Sequence, residues 1–178
     1  MSILEAILNQ PDKDQKLDAT KNQAVILLGH LAQFLGDTAQ KKLLNAYDKL
    51  MDILPNASLV LQRSICKCIP QLTRFFPDKA KTYFTSNLKQ LRESKDEKTI
   101  RVSAFAVAGL LKGLGMSFMV ESDIIGIVTK ESFDSKKTEP IRKQAGLYLF
   151  ESLAFSMGKS FEVFLEKVFP LVLGSISD

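Results

Sequence analysis

From Asn22 to Gly36, Val25, Leu28, Ala32 and Leu35 recur three and four residues apart, the period that aligns side chains on one face of an α-helix. Leu27, Leu31 and Phe34 widen that face, Gly36 supplies a left-handed stop, and Asp37 and Thr38 offer the next N-cap. From Gln40 to Leu54 a second stripe, Leu43, Leu44, Tyr47, Leu50, Met51 and Leu54, ends at Pro55. The same reading predicts helices over 58–76, 78–92, 97–114, 122–133, 140–157 and 160–176, after a short opening helix over 3–8. Pro77, Gly115 and Gly158 mark stops, and Pro140 suits a first helical turn. No stretch alternates with a strand's period. The fold expected is all-α.

The helices also repeat. Lys21, Arg63, Arg101 and Arg142 sit near the starts of alternate helices, roughly 40 residues apart, and two helices per period of that length is the signature of HEAT and armadillo arrays. An acid or amide lies just upstream of each: Asp18, Asn56, Asp96 and Glu139. In HEAT stacks such residues form a ladder between successive turns, and the resemblance to those stacks implies that role here. The expectation is a single HEAT-type α-solenoid over 1–178, with about four helix pairs and an unpaired terminal helix. Its repeats fall at about 1–36, 37–76, 77–115 and 116–158, and residues 159–178 form the first helix of a truncated repeat. That last helix is apolar nearly all round, so self-association through it is expected.

Two features bear on packing. Ala106, Gly109 and Gly113 share one stripe of the 97–114 helix. Glycine inside a helix costs about 1 kcal/mol against alanine, so close approach of a neighbouring helix is the expected compensation. Pro70 removes the backbone bond to Cys66 and should bend its helix.

Composition narrows the function. The 178 residues are 46% hydrophobic and 25% charged with a net charge of +4, an ordinary globular balance far short of a nucleic-acid domain's charge excess. The first residues lack a basic leader, and no apolar run approaches the ~20 residues of a membrane span. A cytoplasmic location is the default, and no membrane contact is expected. Cys66 and Cys68 point apart on a helix and read as buried thiols. His30 has no Cys or carboxylate at ligand spacing and reads as structural. The glycine-rich stretch at 109–115 lies on a helix, not in a strand-to-helix turn, so it does not cradle phosphate. With no base, nucleophile and metal set together, the expectation is a scaffold without catalysis, metal or cofactor.

Charge is the remaining surface signal. The turns gather Arg92, Lys95, Lys98 and Arg101, then Lys130, Lys136, Lys137, Arg142 and Lys143. Stacked turns would align them along one edge of a solenoid. Either this edge is simply solvated, as lysine-rich turns commonly are, or it positions the phosphates of RNA or an acidic partner without reading sequence. Glu93, Asp96, Glu97 and Glu131 neighbour these cations and read as solvated turns.

The stretch RVSAFAVAGLLKGLG at 101–115 resembles the R-R-G-A-A-Y-G-L-A-G-L-V-K-G-L-G segment of the general-control translational activator family. Phe150, Glu151, Leu153, Gly158, Phe161, Glu162, Phe169, Pro170 and Leu171 fall on that family's F-E-x-L…L-G-x-x-F-E…L-P-L pattern. Upstream, Gln62, Cys68, Pro70 and Leu72 fit its V-Q-x-A-V-S-x-C-L-S-P-L helix. Val102, Phe105, Ala106 and Lys143 depart from it, and residues 1–59 fit only as generic HEAT. The resemblance implies a fragment of a giant HEAT-repeat coactivator, from the central array near the part similar to the elongation factor three HEAT domain. Such proteins bind ribosomes, partner an ATP-binding-cassette protein, and activate the starvation kinase that phosphorylates initiation factor two, the kinase contact lying elsewhere in the full-length protein. The alternative is a HEAT module of another trade, in transport, on the cytoskeleton or like elongation factor three. Tubulin-binding HEAT domains usually carry a Trp in the first turn, and this sequence has none.

Overall fold

A computed structural model describes residues 6–7, 10, 15–35, 39–134 and 138–176. The described residues form helices and turns. The helices are α1 (Gln15–Ala32), α2 (Gln40–Ile53), α3 (Leu59–Thr73), α4 (Pro77–Glu93), α5 (Glu97–Leu114), α6 (Met116–Glu121), α7 (Ile124–Phe133), α8 (Pro140–Met157) and α9 (Leu165–Ile176). The opening helix expected over 3–8 falls mostly outside the described residues.

The signals that start and stop these helices are chemical. Ser58 accepts the Leu61 N–H at 3.3 Å to open α3, and Asp96 accepts the Thr99 N–H at 2.9 Å to open α5. Pro77 and Pro140 occupy the first turns of α4 and α8. Gly115 (φ 94°) and Gly158 (φ 56°) close α5 and α8 in backbone conformations that side chains disfavour. Three boundaries differ from the sequence expectation. The helix expected to 76 ends at Thr73, where Phe75 and Phe76 turn back onto the carbonyls of Leu72 and Thr73. A short helix, α6, fills the segment after Gly115, and Asp123 (φ 42°) takes a left-handed turn at the start of α7 without its side chain accepting a capping N–H. The helix expected over 160–176 is a 3-10 stretch, Gly158–Phe164, that continues into α9.

Packing divides the helices into two layers. α1, α3, α5 and α8 stack side by side, each against the next. α2 lies against α3, α4 against α5, and α7 against α8, on the other side of the stack. This is a HEAT-type α-solenoid. In the outer layer Asp48 of α2 accepts Lys79 Nζ (2.8 Å) and Tyr83 Oη (2.6 Å) of α4. Beneath it Tyr47, fully buried, shares a 2.9 Å hydrogen bond with Thr73 and stacks on Phe76.

α5 is the centre. Every residue from Val102 to Leu111 is buried, because α3, α4 and α8 cover it on three sides. A Cβ on Gly109 would sit 2.8 Å from the Cys66 carbonyl oxygen, and one on Gly113 would sit 2.5 Å from Thr73 Cβ and 2.9 Å from Pro70 Cα. The stripe thus marks a helix contact too close for side chains. Pro70 lacks the N–H that would bond the Cys66 carbonyl, and it is this carbonyl that Gly109 faces.

Candidate interaction site

The basic edge is less free than its composition suggests. Arg92, in the last turn of α4, donates through Nε to both oxygens of Glu131 on α7, at 3.1 and 2.9 Å, and through a terminal nitrogen as well. That hydrogen bonding, ahead of charge attraction, holds the guanidinium even more firmly protonated. Arg142, in the first turn of α8, donates to the carbonyls of Leu91 (3.2 Å), Arg92 and Ser94. It caps the carboxyl end of α4, where unpaired carbonyls concentrate negative charge. Two of the cations on this edge are therefore engaged in holding helices together.

Lys98 reaches Asn56 Oδ1 at 3.4 Å across successive turns, while Lys95 and Lys130 are exposed. Arg101 and Lys143 are half-buried, and the buried Nε of Arg101 has no hydrogen-bond partner among the described residues. Lys136 and Lys137 lie outside the described residues. The neighbouring carboxylates are more than solvated turns. Glu131 holds Arg92, Glu97 accepts the Tyr148 hydroxyl at 2.6 Å, and Asp96 caps α5. Thr99 bonding holds the Asp96 carboxyl below its ordinary range.

Two residues of the expected ladder bridge successive turns: Arg142 donates to the Ser94 carbonyl and Asn56 accepts from Lys98. Lys21 is buried and donates to the Gln10 carbonyl. Arg63 lies 3.7 Å from Glu151 on α8, and Asn56 meets Lys98 rather than Arg63. At the far side of the stack Lys112 donates to the Ser156 carbonyl.

A second surface carries no signal in the sequence motifs. Between α1 and α3 on the inner layer runs an open groove of about 310 Å³, floored by Val25 and Cys68 and bordered by Ile26, His30, Lys67 and Gln71. The sequence does contain the clue that marks it: α3 has Arg63, Lys67 and Arg74 along one stripe or just past its end, and no Asp or Glu at all. A third surface lies on the terminal helix. Leu165, Phe169 and Leu173, four residues apart on α9, are about half exposed.

Both thiols are buried and held protonated. Burial pushes Cys66 up to about 11, partly offset by hydrogen bonds to Ser156 and Gly109, and pushes Cys68 up to about 12. No group of His, Cys, Asp or Glu suited to hold a metal ion occurs among the described residues. No helix among them is long and apolar enough to cross a membrane.

These features describe a packed stack with exposed faces, and the comparison with known proteins places it. The chain is 29% identical over 178 residues to the stalled ribosome sensor GCN1 of Homo sapiens, with 100% of this chain and 7% of the relative covered. End to end, the chain is similar to a stretch of that GCN1. The eIF-2-alpha kinase activator GCN1 of Dictyostelium discoideum is 30% identical over 180 residues, covering 100% of this chain and 7% of that protein. Protein ILITYHIA of Arabidopsis thaliana is 30% identical over 177 residues, covering 99% and 6%. The chain thus spans under a tenth of the length of the relatives it matches. No protein-family profile matches it. No solved structure matches it.

Proposed function

We propose that this chain is a non-catalytic HEAT-repeat segment of a cytoplasmic, ribosome-associated regulator that promotes activation of the starvation-responsive initiation-factor-two kinase. The observation that carries this reading is the alignment of the whole chain with proteins named as a stalled ribosome sensor and as an eIF-2-alpha kinase activator. Its repeats fall at about 1–36, 37–76, 77–115 and 116–158, with 159–178 opening a further one. The kinase and an ATP-binding-cassette partner are met through other parts of the full-length protein. Leu165, Phe169 and Leu173 form an apolar strip through which isolated copies self-associate.

Ribosome contact runs through the basic edge. Lys95, Lys98 and Lys130, with Lys136 and Lys137, position phosphates, while Arg101 and Lys143 border them. Arg92 and Arg142 support the edge by fixing α4 against α7 and α8. The test is co-sedimentation with purified ribosomes at graded salt, using the native chain and a variant reversing Lys95, Lys98 and Lys130 to glutamate. Binding that weakens steeply with salt and falls in the variant, with the far-ultraviolet helix signal unchanged, is expected. Equal co-sedimentation of the two proteins would return the edge to a solvated surface.

A further inference from the structure

We propose that the groove between α1 and α3 docks an acidic segment of another protein, seating a large apolar side chain on its floor. This goes beyond the ribosome reading and does not depend on it.

The argument starts from spacing. α1 and α3 run together with Gly29 opposite Cys68, where a Cβ on Gly29 would lie 3.5 Å from Cys68, in ordinary contact. At the next junction a Cβ on Gly109 or Gly113 would come within 2.8–2.9 Å of α3 backbone atoms, so α5 approaches α3 more closely at these positions. The looser junction leaves the groove of about 310 Å³, at the small end of ligand-sized pockets. It holds one or two side chains rather than a folded domain. Val25 and Cys68 make its floor apolar, and Gln33, Ser64 and Gln71 give its walls the amides and hydroxyl that a peptide backbone can bond.

Charge then selects the occupant. Lys67 lines the groove, and Arg63 and Arg74 stand on the same helix before and after it. Among the described residues no carboxylate lines the groove, α3 has none, and the one on α1, Asp18, lies about two turns before the lining residues. Among the described residues, Glu151 of α8 approaches from elsewhere, 3.7 Å from Arg63, with both side chains about half exposed. Such a pair is weak, so an incoming carboxylate competes for Arg63 readily. A flexible acidic segment with one bulky apolar residue satisfies both floor and rim.

Nucleic acid fits less well. Single strands need a run of aromatic faces on which successive bases stack; Phe155 is covered by Lys67 Nζ at 4.8 Å and by Arg63 at 5.7 Å, which leaves Phe34, exposed beside Gln33, as one such face at the groove's end.

The test is fluorescence anisotropy of the whole chain with a fluorescein-labelled short peptide rich in Glu around one Leu and one Phe. Control probes are the same peptide with Gln for Glu, and a single-stranded RNA oligonucleotide. The acidic peptide should bind saturably and the Gln peptide at least about tenfold more weakly. Lys67→Glu with Arg74→Glu should weaken the acidic peptide by at least about tenfold, and Ser64→Trp, which fills the groove, should do the same. Amide shifts should move at Gly29, Ser64 and Cys68. Should Ser64→Trp lower the melting temperature, the charge variant decides alone. Equal binding by the charge variant, binding of RNA in preference to the peptide, or no binding of the peptide overturns the proposal.

Discussion

The two junctions made by α3 use the same parts to opposite ends. Against α1, the helix meets a single glycine, Gly29, whose missing side chain faces Cys68 at ordinary contact distance. Against α5 it meets Gly109 and Gly113, where a Cβ would strike the Cys66 carbonyl, Thr73 and Pro70. The first junction stays open and forms a groove. The second is closed and buries α5 along its middle turns. Small residues therefore do not have one meaning in this stack: their depth between helices decides whether a junction becomes core or surface.

The comparison breaks most visibly at Gly109. Replacing it with Leu forces a side chain onto a backbone carbonyl, which cannot rotate away as a flexible side chain would. Destabilisation of about 3 kcal/mol or more is expected, at or beyond the upper range for overpacked cores, read as a lower urea midpoint. An unchanged midpoint would mean that α3 and α5 can separate without loss.

The cysteines sharpen the same contrast through pH. Cys66 faces the closed junction and Cys68 the floor of the open one, and burial raises both from the ordinary 9.0, to about 11 and about 12. Above pH 9 the unfolded chain releases these protons while the folded chain keeps them. Stability is therefore full below about pH 9 and falls as pH rises through about 11 and 12, each thiol contributing on the order of 1 kcal/mol per pH unit. Urea midpoints compared at pH 8 and pH 10 should fall less in Cys68→Ala than in the native chain, after correction for the variant's own cost. An identical fall would show that the groove floor admits water to the thiolate.

Much of this was legible in the sequence. Helix boundaries at Ser58, Asp96, Gly115 and Gly158 follow from local capping and turn chemistry, which needs no partner. The close contact at Gly109 and Gly113 was legible because two glycines inside one helix require a cause. What escaped depends on distant pairing. Arg92 and Glu131 are 39 residues apart, and Arg142 reaches carbonyls about 50 residues away, so neither engagement shows in the turn composition. The open groove escaped because it depends on how near Gly29 comes to Cys68, a distance that no spacing within α1 encodes.

The most direct test of the central claim is a paired substitution, Gly29→Ala and Gly113→Ala, each measured by urea unfolding. At Gly29 the new methyl finds ordinary contacts, so the helix preference of alanine dominates and stability rises by up to about 1 kcal/mol. At Gly113 the methyl would meet Thr73 Cβ at 2.5 Å, and the clash outweighs that preference, so stability falls by about 1–3 kcal/mol. Opposite signs are the predicted result. Equal shifts in the same direction would contradict the account, because depth between the helices would then decide nothing.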